Sequence, residues 1–238
     1  MEGSASKIDQ GPDPDPSWSP LYCAGAVSAG LAVVLYVAAL VIFVITTAPP
    51  AVGGAAVLEY VNAHRAIYII RQLLWLAPRL LLMVVVLTLA VSLYPLGKGA
   101  AMIAGVIAIS SWAVSFAWPT TGEGSLAMVV LSDRYAVTTP DAERAIFVAG
   151  AEVLLALNDT QVVIGVLQTL GILLLSALML RGEFPTGLAW LGVATGGIGI
   201  ISEALRPLLG WAYVVYGLLL FGWLIWVAAA LWRAGRRH

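Results

Sequence analysis

Long apolar stretches alternate with short polar or proline-containing segments along most of the chain, and this pattern predicts membrane-spanning helices. A helix needs about 20 apolar residues to cross the hydrocarbon core of a bilayer. The predicted spans 1 to 6 are about 21–47, 67–94, 99–118, 160–180, 184–205 and 207–232. We therefore predict an all-α fold, a polytopic membrane helix bundle with six transmembrane helices.

The segments outside the spans complete the predicted organisation, in which one transmembrane domain covers 21–232. The proline-rich segment 1–20 predicts a disordered tail, and 233–238 is a short basic tail. The apolar run that follows the first tail is too long for the core of a signal peptide, so span 1 is expected to remain as an anchor. Segment 55–66 has an amphipathic pattern and is predicted to lie at the membrane interface.

The longest connection, 119–157, predicts an additional helix before span 4. Thr139 is the expected N-cap and Pro140 the first helical residue, and acidic residues follow in the first turn. The helix of about 140–156 is apolar on one side. Two interpretations stay open, because this helix either lies at the interface or continues into span 4.

The short connections predict which spans are neighbours and which side of the membrane each end occupies. Spans 2 and 3, and likewise spans 4, 5 and 6, are expected to be adjacent and antiparallel. With six spans both termini share one side, and basic residues in short loops favour the cytoplasm for it. That side carries Lys7, Lys98, Arg181, Arg233, Arg236 and Arg237, whereas the other carries Arg65, Arg134, Arg144 and Arg206.

Composition narrows the class of protein further. With 61% hydrophobic and 11% charged residues, the chain cannot cover a soluble domain, and its net charge of −1 gives no reason to expect a nucleic-acid partner. One cysteine and two histidines exclude an intramolecular disulfide, a bis-histidine haem and a three-histidine zinc site. No lysine lies within a span, so a retinal Schiff base is excluded, and we expect no cofactor or metal. The bias towards arginine, alanine, glycine and valine is typical of GC-rich bacteria and predicts the bacterial inner membrane.

Polar residues inside the predicted spans are the candidates for function, because an ionisable side chain in hydrocarbon costs at least about 2.5 kcal/mol. Arg79 in span 2 lies about 22 Å along the helix axis from the cytoplasmic end of that span. Polar residues of other spans lie at a similar predicted depth, so they are expected to form one polar layer with Arg79 near mid-membrane. This layer comprises Arg79, Ser110, Ser111, Gln168 and Thr195. A second layer, nearer the outside, comprises Arg71, Gln72, Glu152, Asn158, Asp159, Ser202, Glu203 and Arg206. Together they predict a polar cleft that opens to the extracytoplasmic side, with Arg79 at its floor.

Several of these residues also have purely structural interpretations. Arg79 either binds carbonyls freed by Pro78 or pairs with Glu203 or Asp159, or it faces a ligand, or span 2 is misplaced and Arg79 lies at an interface. Glu203 is three residues before Arg206, so the two are also expected to form an interfacial ion pair. Asp159 is also expected to be part of an N-cap for span 4.

Three functions from different classes fit this pattern. The first is binding or passing of a small polar or anionic molecule, or of a lipid head group, with Arg79 as its anchor. The second is an accessory or structural subunit that docks a membrane protein partner or a second copy of itself through small-residue faces in spans 3, 5 and 6. The glycines of span 5, Gly192, Gly196, Gly197 and Gly199, are assigned to helix packing and not to a ligand loop. The third, an enzyme acting on lipid, ranks lowest because no nucleophile–histidine pair, metal set or paired-carboxylate motif is present.

Four short motifs resemble a family of bacterial six-helix membrane proteins, domain-of-unknown-function family 4386. They are Glu59-Tyr60-Val61-Asn62, Leu93-Tyr94-Pro95-Leu96, Leu157-Asn158-Asp159 and the Gly182–Gly192 junction, which has a proline followed by an apolar-Trp-apolar-Gly pattern. The resemblance covers about 21–232. It implies a bacterial inner-membrane bundle and brings no established activity or catalytic residues.

Overall fold

The computed structural model describes residues 16–118, 120–121, 124–159, 162–182, 184–206, 208 and 210–236. These residues form nine α-helices and one two-stranded antiparallel hairpin. The helices are α1 (Ser19–Ile45), α2 (Gly54–Ala63), α3 (Arg65–Leu93), α4 (Lys98–Ala117), α5 (Ala127–Val137), α6 (Asp141–Asp159), α7 (Val162–Met179), α8 (Thr186–Ala204) and α9 (Gly210–Gly235). The hairpin pairs β1 (Thr120–Thr121) with β2 (Gly124–Ser125).

Within the described part of the chain, six helical stretches are long and apolar enough to cross a membrane. Five of them coincide with α1, α3, α4, α8 and α9, and the sixth is the stretch that contains α6 and α7. The predicted all-α bundle with six spans is therefore confirmed. Most of the predicted tail 1–20 lies outside the described residues, and its described end forms a short 3-10 turn before α1.

Prolines lie at several of the helix ends, as the sequence suggested. Pro95 sits in a 3-10 turn that closes α3, and Pro185 directly precedes the first residue of α8. Helix α6 begins one residue later than predicted, at Asp141, because the carbonyl of Pro140 already accepts the Arg144 N–H at 3.0 Å. Helix α9 continues past the predicted end of span 6 as far as Gly235.

The six spanning helices close into a ring that follows the order of the chain. Helix α1 packs against α3, α3 against α4, α4 against α7, α7 against α8, α8 against α9, and α9 returns to α1. The predicted neighbours, spans 2 and 3 and spans 4 to 6, are therefore adjacent. At the point of closure the Ser19 hydroxyl donates to the Gly235 carbonyl at 2.7 Å, which places the start of α1 beside the end of α9.

Small residues allow the ring helices to approach closely. A Cβ atom on Gly171 of α7 would lie 2.7 Å from the Cβ of Ala108 on α4, and one on Gly25 of α1 would lie 2.5 Å from the Thr88 hydroxyl on α3. In the predicted span-5 face, Gly192, Gly196 and Gly199 meet neighbouring helices in the same way, whereas Gly197 faces open space. Packing is thus the structural role of three of those four glycines.

The remaining elements, α2, α5, α6 and the β1–β2 hairpin, form a second cluster that we call the cap. Its helices pack on one another around an apolar core that includes Leu58 and Met128, both fully buried. Glu152 of α6 accepts the Gly54 N–H at 2.5 Å, so a carboxylate meets the positive N-terminal end of α2. The segment predicted at 140–156 therefore belongs to α6 and packs in the cap, whereas α7 packs in the ring.

The hairpin joins the cap to the first turns of α3. Tyr68 donates its hydroxyl to the Ser125 carbonyl at 3.0 Å and accepts the Ser125 N–H at 3.1 Å. Gly124 has a φ of 128°, which L side chains rarely adopt, and the Tyr68 hydroxyl fills the space that a Cβ would take. The cap is thereby fixed at the end of the ring where α3 begins and α4 ends.

Candidate functional site

A cavity of about 360 Å³ lies inside the ring, and every spanning helix contributes to its wall. Its lining residues come from the half of each helix that is nearer the cap. They are Tyr36, Leu40, Trp75, Arg79, Trp112, Ser115, Ile164, Gly165, Gln168, Glu203, Arg206, Tyr213, Val214, Tyr216, Gly217, Leu218, Leu220 and Phe221. Four residues of the predicted polar layers, Arg79, Gln168, Glu203 and Arg206, are therefore brought together.

The half of the ring away from the cap is filled by side chains. Most of its buried residues are apolar, chiefly alanine, leucine and valine, and they belong to one continuous core, in which Ser28, Thr88 and Ser176 are buried polar residues. Examples of the apolar residues are Ala29 of α1, Leu93 of α3, Leu178 of α7 and Leu231 of α9, which are all 5% exposed or less. The cavity therefore ends at this core, near the middle of the bundle.

Arg79 lies at the midpoint of α3, directly after Pro78, and donates from Nη1 to the Ser115 carbonyl of α4 at 2.5 Å. The sequence explains why that carbonyl accepts a side-chain donor. Residue 119, four positions after Ser115, is a proline and has no N–H to supply the usual helical hydrogen bond.

Three other residues of the cavity wall carry buried N–H groups that have no acceptor within the described structure. They are the indole Nε1 of Trp112, the amide Nε2 of Gln168 and the guanidinium Nε of Arg206. A buried donor without a partner costs about 1–3 kcal/mol, so such atoms are uncommon unless a ligand or solvent satisfies them. Together with Arg79, they make this wall rich in hydrogen-bond donors.

Glu203, Arg206 and Tyr213 form a closed polar triad where α8 ends and α9 begins. Arg206 Nη2 donates to Glu203 Oε2 at 2.9 Å and to the Tyr213 hydroxyl at 2.8 Å, and that hydroxyl donates to Glu203 Oε1 at 2.9 Å. The predicted ion pair between Glu203 and Arg206 is therefore present. Gly165 of α7 makes room for it, since a Cβ there would overlap the Glu203 carboxylate.

The charge of Arg206 is preserved by this triad, although the side chain is partly buried. Arg206 lies between the fifth and sixth spanning stretches. Burial lowers the pKa of its guanidinium, but Tyr213 and Glu203 raise it by more, so that the pKa lies above its usual value. The guanidinium also stacks on the Tyr213 ring, with 4.8 Å between the guanidinium carbon and the ring centroid.

Aromatic rings make up much of the remaining wall. The ring centroids of Tyr36 and Trp75 are 5.6 Å apart, those of Tyr36 and Phe221 are 6.0 Å apart, and those of Tyr213 and Tyr216 are 5.8 Å apart. Such tilted and edge-on pairs are the arrangements that aromatic side chains prefer. The cavity thus combines an apolar aromatic surface with cationic and neutral N–H donors.

Two of the predicted site residues, Arg71 and Gln72, lie in a separate buried cluster beneath the cap. Arg71 donates to the Thr46 hydroxyl at 2.5 Å and lies over the Phe43 ring. Gln72 accepts the Thr121 hydroxyl of the hairpin at 2.9 Å. Both residues are at most 2% exposed, and their contacts tie α3 to α1 and to the cap.

The other predicted site residues are not brought to the cavity. Ser110 lies on the exposed face of α4, and Ser111 is buried and donates to the Ala108 carbonyl of its own helix at 2.7 Å. Thr195 is buried and donates to the Leu191 carbonyl at 2.7 Å. Asp159 is the last residue of α6, and its side chain, with the predicted N-cap, lies outside the described residues.

Sequence reasoning missed Tyr36, Trp112, Ser115 and Tyr213, which all line the cavity. Tyr36 and Trp112 lie within spans 1 and 3, away from the interfaces where amphipathic aromatics are expected. That position was the signal that could have singled them out, because a hydroxyl or indole N–H in hydrocarbon needs a partner. Tyr213 lies at the start of span 6, where an interfacial tyrosine is expected, so its position in the sequence carried no such signal.

Comparisons of the chain with protein-family models, with curated proteins and with solved structures found no match. Among the residues that the structure describes, no group of three or more His, Cys, Asp and Glu side chains is placed to hold a metal ion.

Proposed function

We propose that this protein binds a small amphipathic anion in the cavity, with Arg79 as the anchor of the anionic group. The observation that supports this most directly is the donor-rich wall formed by Arg79, Trp112 Nε1 and Gln168 Nε2 beside aromatic rings. A guanidinium fork binds both oxygens of a carboxylate or phosphate, and the aromatic surface suits an apolar body.

The shape of the cavity favours binding over passage through the bundle. Its volume is near the lower end of the range of about 300–1,000 Å³ that is usual for ligand pockets. The half of the ring away from the cap is closed by apolar side chains, and a permeation path would have to open that core. A pocket that ends at a packed core supports a receptor or carrier site for one molecule.

We further propose that the protein resides in a bacterial inner membrane with both termini in the cytoplasm. The contact between Ser19 and Gly235 supports a common side for the two ends. The excess of basic residues in short loops on that side supports its assignment to the cytoplasm. The resemblance to family 4386 leads to the same location. The cap and the nearer end of the cavity would then face the outside.

The test of ligand binding uses benzoate and phenyl phosphate as anionic probes and benzamide as the neutral analogue of benzoate. The thermal unfolding midpoint of the purified protein in a maltoside detergent is measured with and without each probe. A ligand at 100 times its Kd stabilises the folded state by about 2.7 kcal/mol, which corresponds to a rise of several degrees. We expect this rise with at least one of the anions and not with benzamide.

Arg79→Gln tests the role of the anchor, with Arg181→Gln as the matched control at an exposed arginine outside the cavity. The charge at Arg79 supplies the strongest attraction for an anion, so Arg79→Gln is expected to abolish the stabilisation. Arg181→Gln should retain it in full. Equal stabilisation of both variants, or the absence of any effect of the anions on the unaltered protein, contradicts the proposed function.

A further inference from the structure

The rim of the cavity includes apolar residues that also lie on the outer surface of the bundle, beside Tyr213, which is 37% exposed. Leu40 of α1 is 41% exposed, and Val214 and Leu218 of α9 are 65% and 67% exposed. All three nevertheless line the cavity. A residue that belongs both to a cavity wall and to the outer surface marks an opening, so the cavity opens between α1 and α9.

The two helices separate on the side of the cap. Near the termini they are close, since a Cβ on Gly235 would lie 2.9 Å from the Cys23 sulfur. The rings of Tyr36 and Phe221 still make contact farther along. Beyond that pair, residues 43–45 of α1 and residues 213–215 of α9 are exposed. The gap therefore lies above Tyr36 and Phe221, in the half of the ring nearer the cap.

The surface around this gap is lipid-facing if the ring spans a bilayer, because α1 and α9 are two of its spanning helices. The leucine and valine side chains of this rim match hydrocarbon, whereas Arg206 and Tyr213, which are 34% and 37% exposed, are its polar members. Gly217, at the same rim, leaves open space where a side chain would stand. The opening thus suits an acyl chain.

We infer that the ligand is an anionic lipid that enters sideways from the bilayer, through the gap between α1 and α9. This inference rests on the proposed function and specifies the ligand of the same site. The carboxylate or phosphate of the lipid reaches Arg79, with the Trp112 and Gln168 N–H groups as further donors. The cavity holds the head of the molecule and the start of a chain, and the remainder of the chain stays in the leaflet nearer the cap.

The test uses the full chain reconstituted in phosphatidylcholine vesicles that contain a small fraction of a photoreactive lipid. The probes carry a diazirine in an acyl chain and are phosphatidylglycerol, palmitate and phosphatidylcholine. We expect the two anionic probes to label α1 and α9 peptides at the cavity, and phosphatidylcholine to label them about tenfold less. Comparison of phosphatidylglycerol with palmitate distinguishes a phospholipid from a free fatty acid.

Two variants make the route testable. Gly217→Phe places a ring in the rim and is expected to reduce labelling at the cavity about tenfold, by excluding the chain. Gly197→Phe is the matched control, because that glycine also faces open space and does not line the cavity. Its labelling should equal that of the unaltered protein. If Gly217→Phe fails to fold, labelling of the Arg79→Gln variant, whose rim is unaltered, provides the second test. This variant should no longer be labelled more strongly by the anionic probes than by phosphatidylcholine.

The outcomes separate this inference from the proposed function. In one outcome, benzoate or phenyl phosphate stabilises the protein, but lipid labelling is the same for anionic and neutral probes and is unchanged in the two variants. That result overturns lateral lipid entry and leaves anion binding intact. Absence of both the stabilisation and the selective labelling overturns the two together. Selective labelling that is lost in Arg79→Gln and in Gly217→Phe supports both.

Discussion

At the scale of single residues, the energetic problem of this protein is to satisfy polar atoms inside an apolar bundle. In two cases, a hydrogen bond from a side chain satisfies a polar group that would otherwise have no hydrogen-bond partner. Arg79 binds the Ser115 carbonyl, which has no helical donor because residue 119 is a proline. Glu203 receives donors from both Arg206 and Tyr213, so a carboxylate that is 3% exposed remains hydrogen-bonded. Local sequence suggested the ion pair but did not indicate the tyrosine.

The triad of Glu203, Arg206 and Tyr213 gives a prediction at this scale. Tyr213→Phe removes a hydroxyl that donates to Glu203 and accepts from Arg206, and it is expected to lower the free energy of unfolding by about 1–3 kcal/mol. Glu203→Gln leaves the Arg206 charge without its carboxylate and is expected to cost at least as much. The measurement is thermal unfolding of both single variants and the double variant in detergent.

The double variant tests whether the three residues act as one unit. Contacting residues in one hydrogen-bonded network show coupling energies of about 0.5–3 kcal/mol, so the double variant should lose less stability than the two single losses combined. Strict additivity would contradict the shared network. Tyr94→Phe is the control, since Tyr94 is an exposed tyrosine in the turn after α3.

At the scale of elements, prolines and glycines decide where helices end and how closely they pack. Proline effects are local, so the ends of α3 and α8 could be placed from Pro95 and Pro185 alone. Glycine effects depend on the neighbouring helix. Gly196 and Gly197 are adjacent in the sequence, yet a Cβ on Gly196 would lie 2.6 Å from the Leu173 backbone nitrogen, whereas one on Gly197 meets nothing within 4 Å.

This difference gives a prediction for the α7–α8 interface. Gly196→Val forces α8 away from the α7 backbone and is expected to destabilise the protein by about 1–3 kcal/mol or more. Gly197→Val adds the same atoms on an open face and should leave the unfolding midpoint nearly unchanged. Thermal unfolding of the two purified variants, measured side by side, checks this. Equal midpoints would show that the close approach of α7 and α8 contributes little to stability.

At the scale of the whole molecule, a ring of six helices in chain order creates an interior that no single helix contains. Because the ring is filled by apolar side chains at one end and lined by polar and aromatic ones at the other, it forms a pocket with one closed end. The cap packs beside that pocket through the hairpin and the start of α3. The arrangement divides the ring into a packed half and a half that contains the cavity.

The orientation of the whole molecule gives its own prediction. The native cysteine is first removed by Cys23→Ala. A single cysteine is then introduced at one of two exposed positions, either Thr139, between α5 and α6, or Arg236, directly after α9. A membrane-impermeant maleimide should label the Thr139→Cys variant in intact bacterial cells and the Arg236→Cys variant only after lysis. Both should react equally in detergent. The reverse pattern in cells would place the termini outside.

The sequence by itself determined the number and approximate limits of the spanning helices, because length, hydropathy and proline placement act within one segment. It also singled out Arg79, Gln168 and Glu203 as costly polar residues in an apolar setting. Only the tertiary structure decided that these three share a cavity, while Thr195 binds its own helix and Ser110 lies outside. Depth along a helix can be counted from the sequence, but the direction in which a side chain points around the ring depends on which helices are neighbours. The packing of α9 against α1, which closes the ring, determines which side chains point inward. It also determines the position of the gap through which the cavity opens.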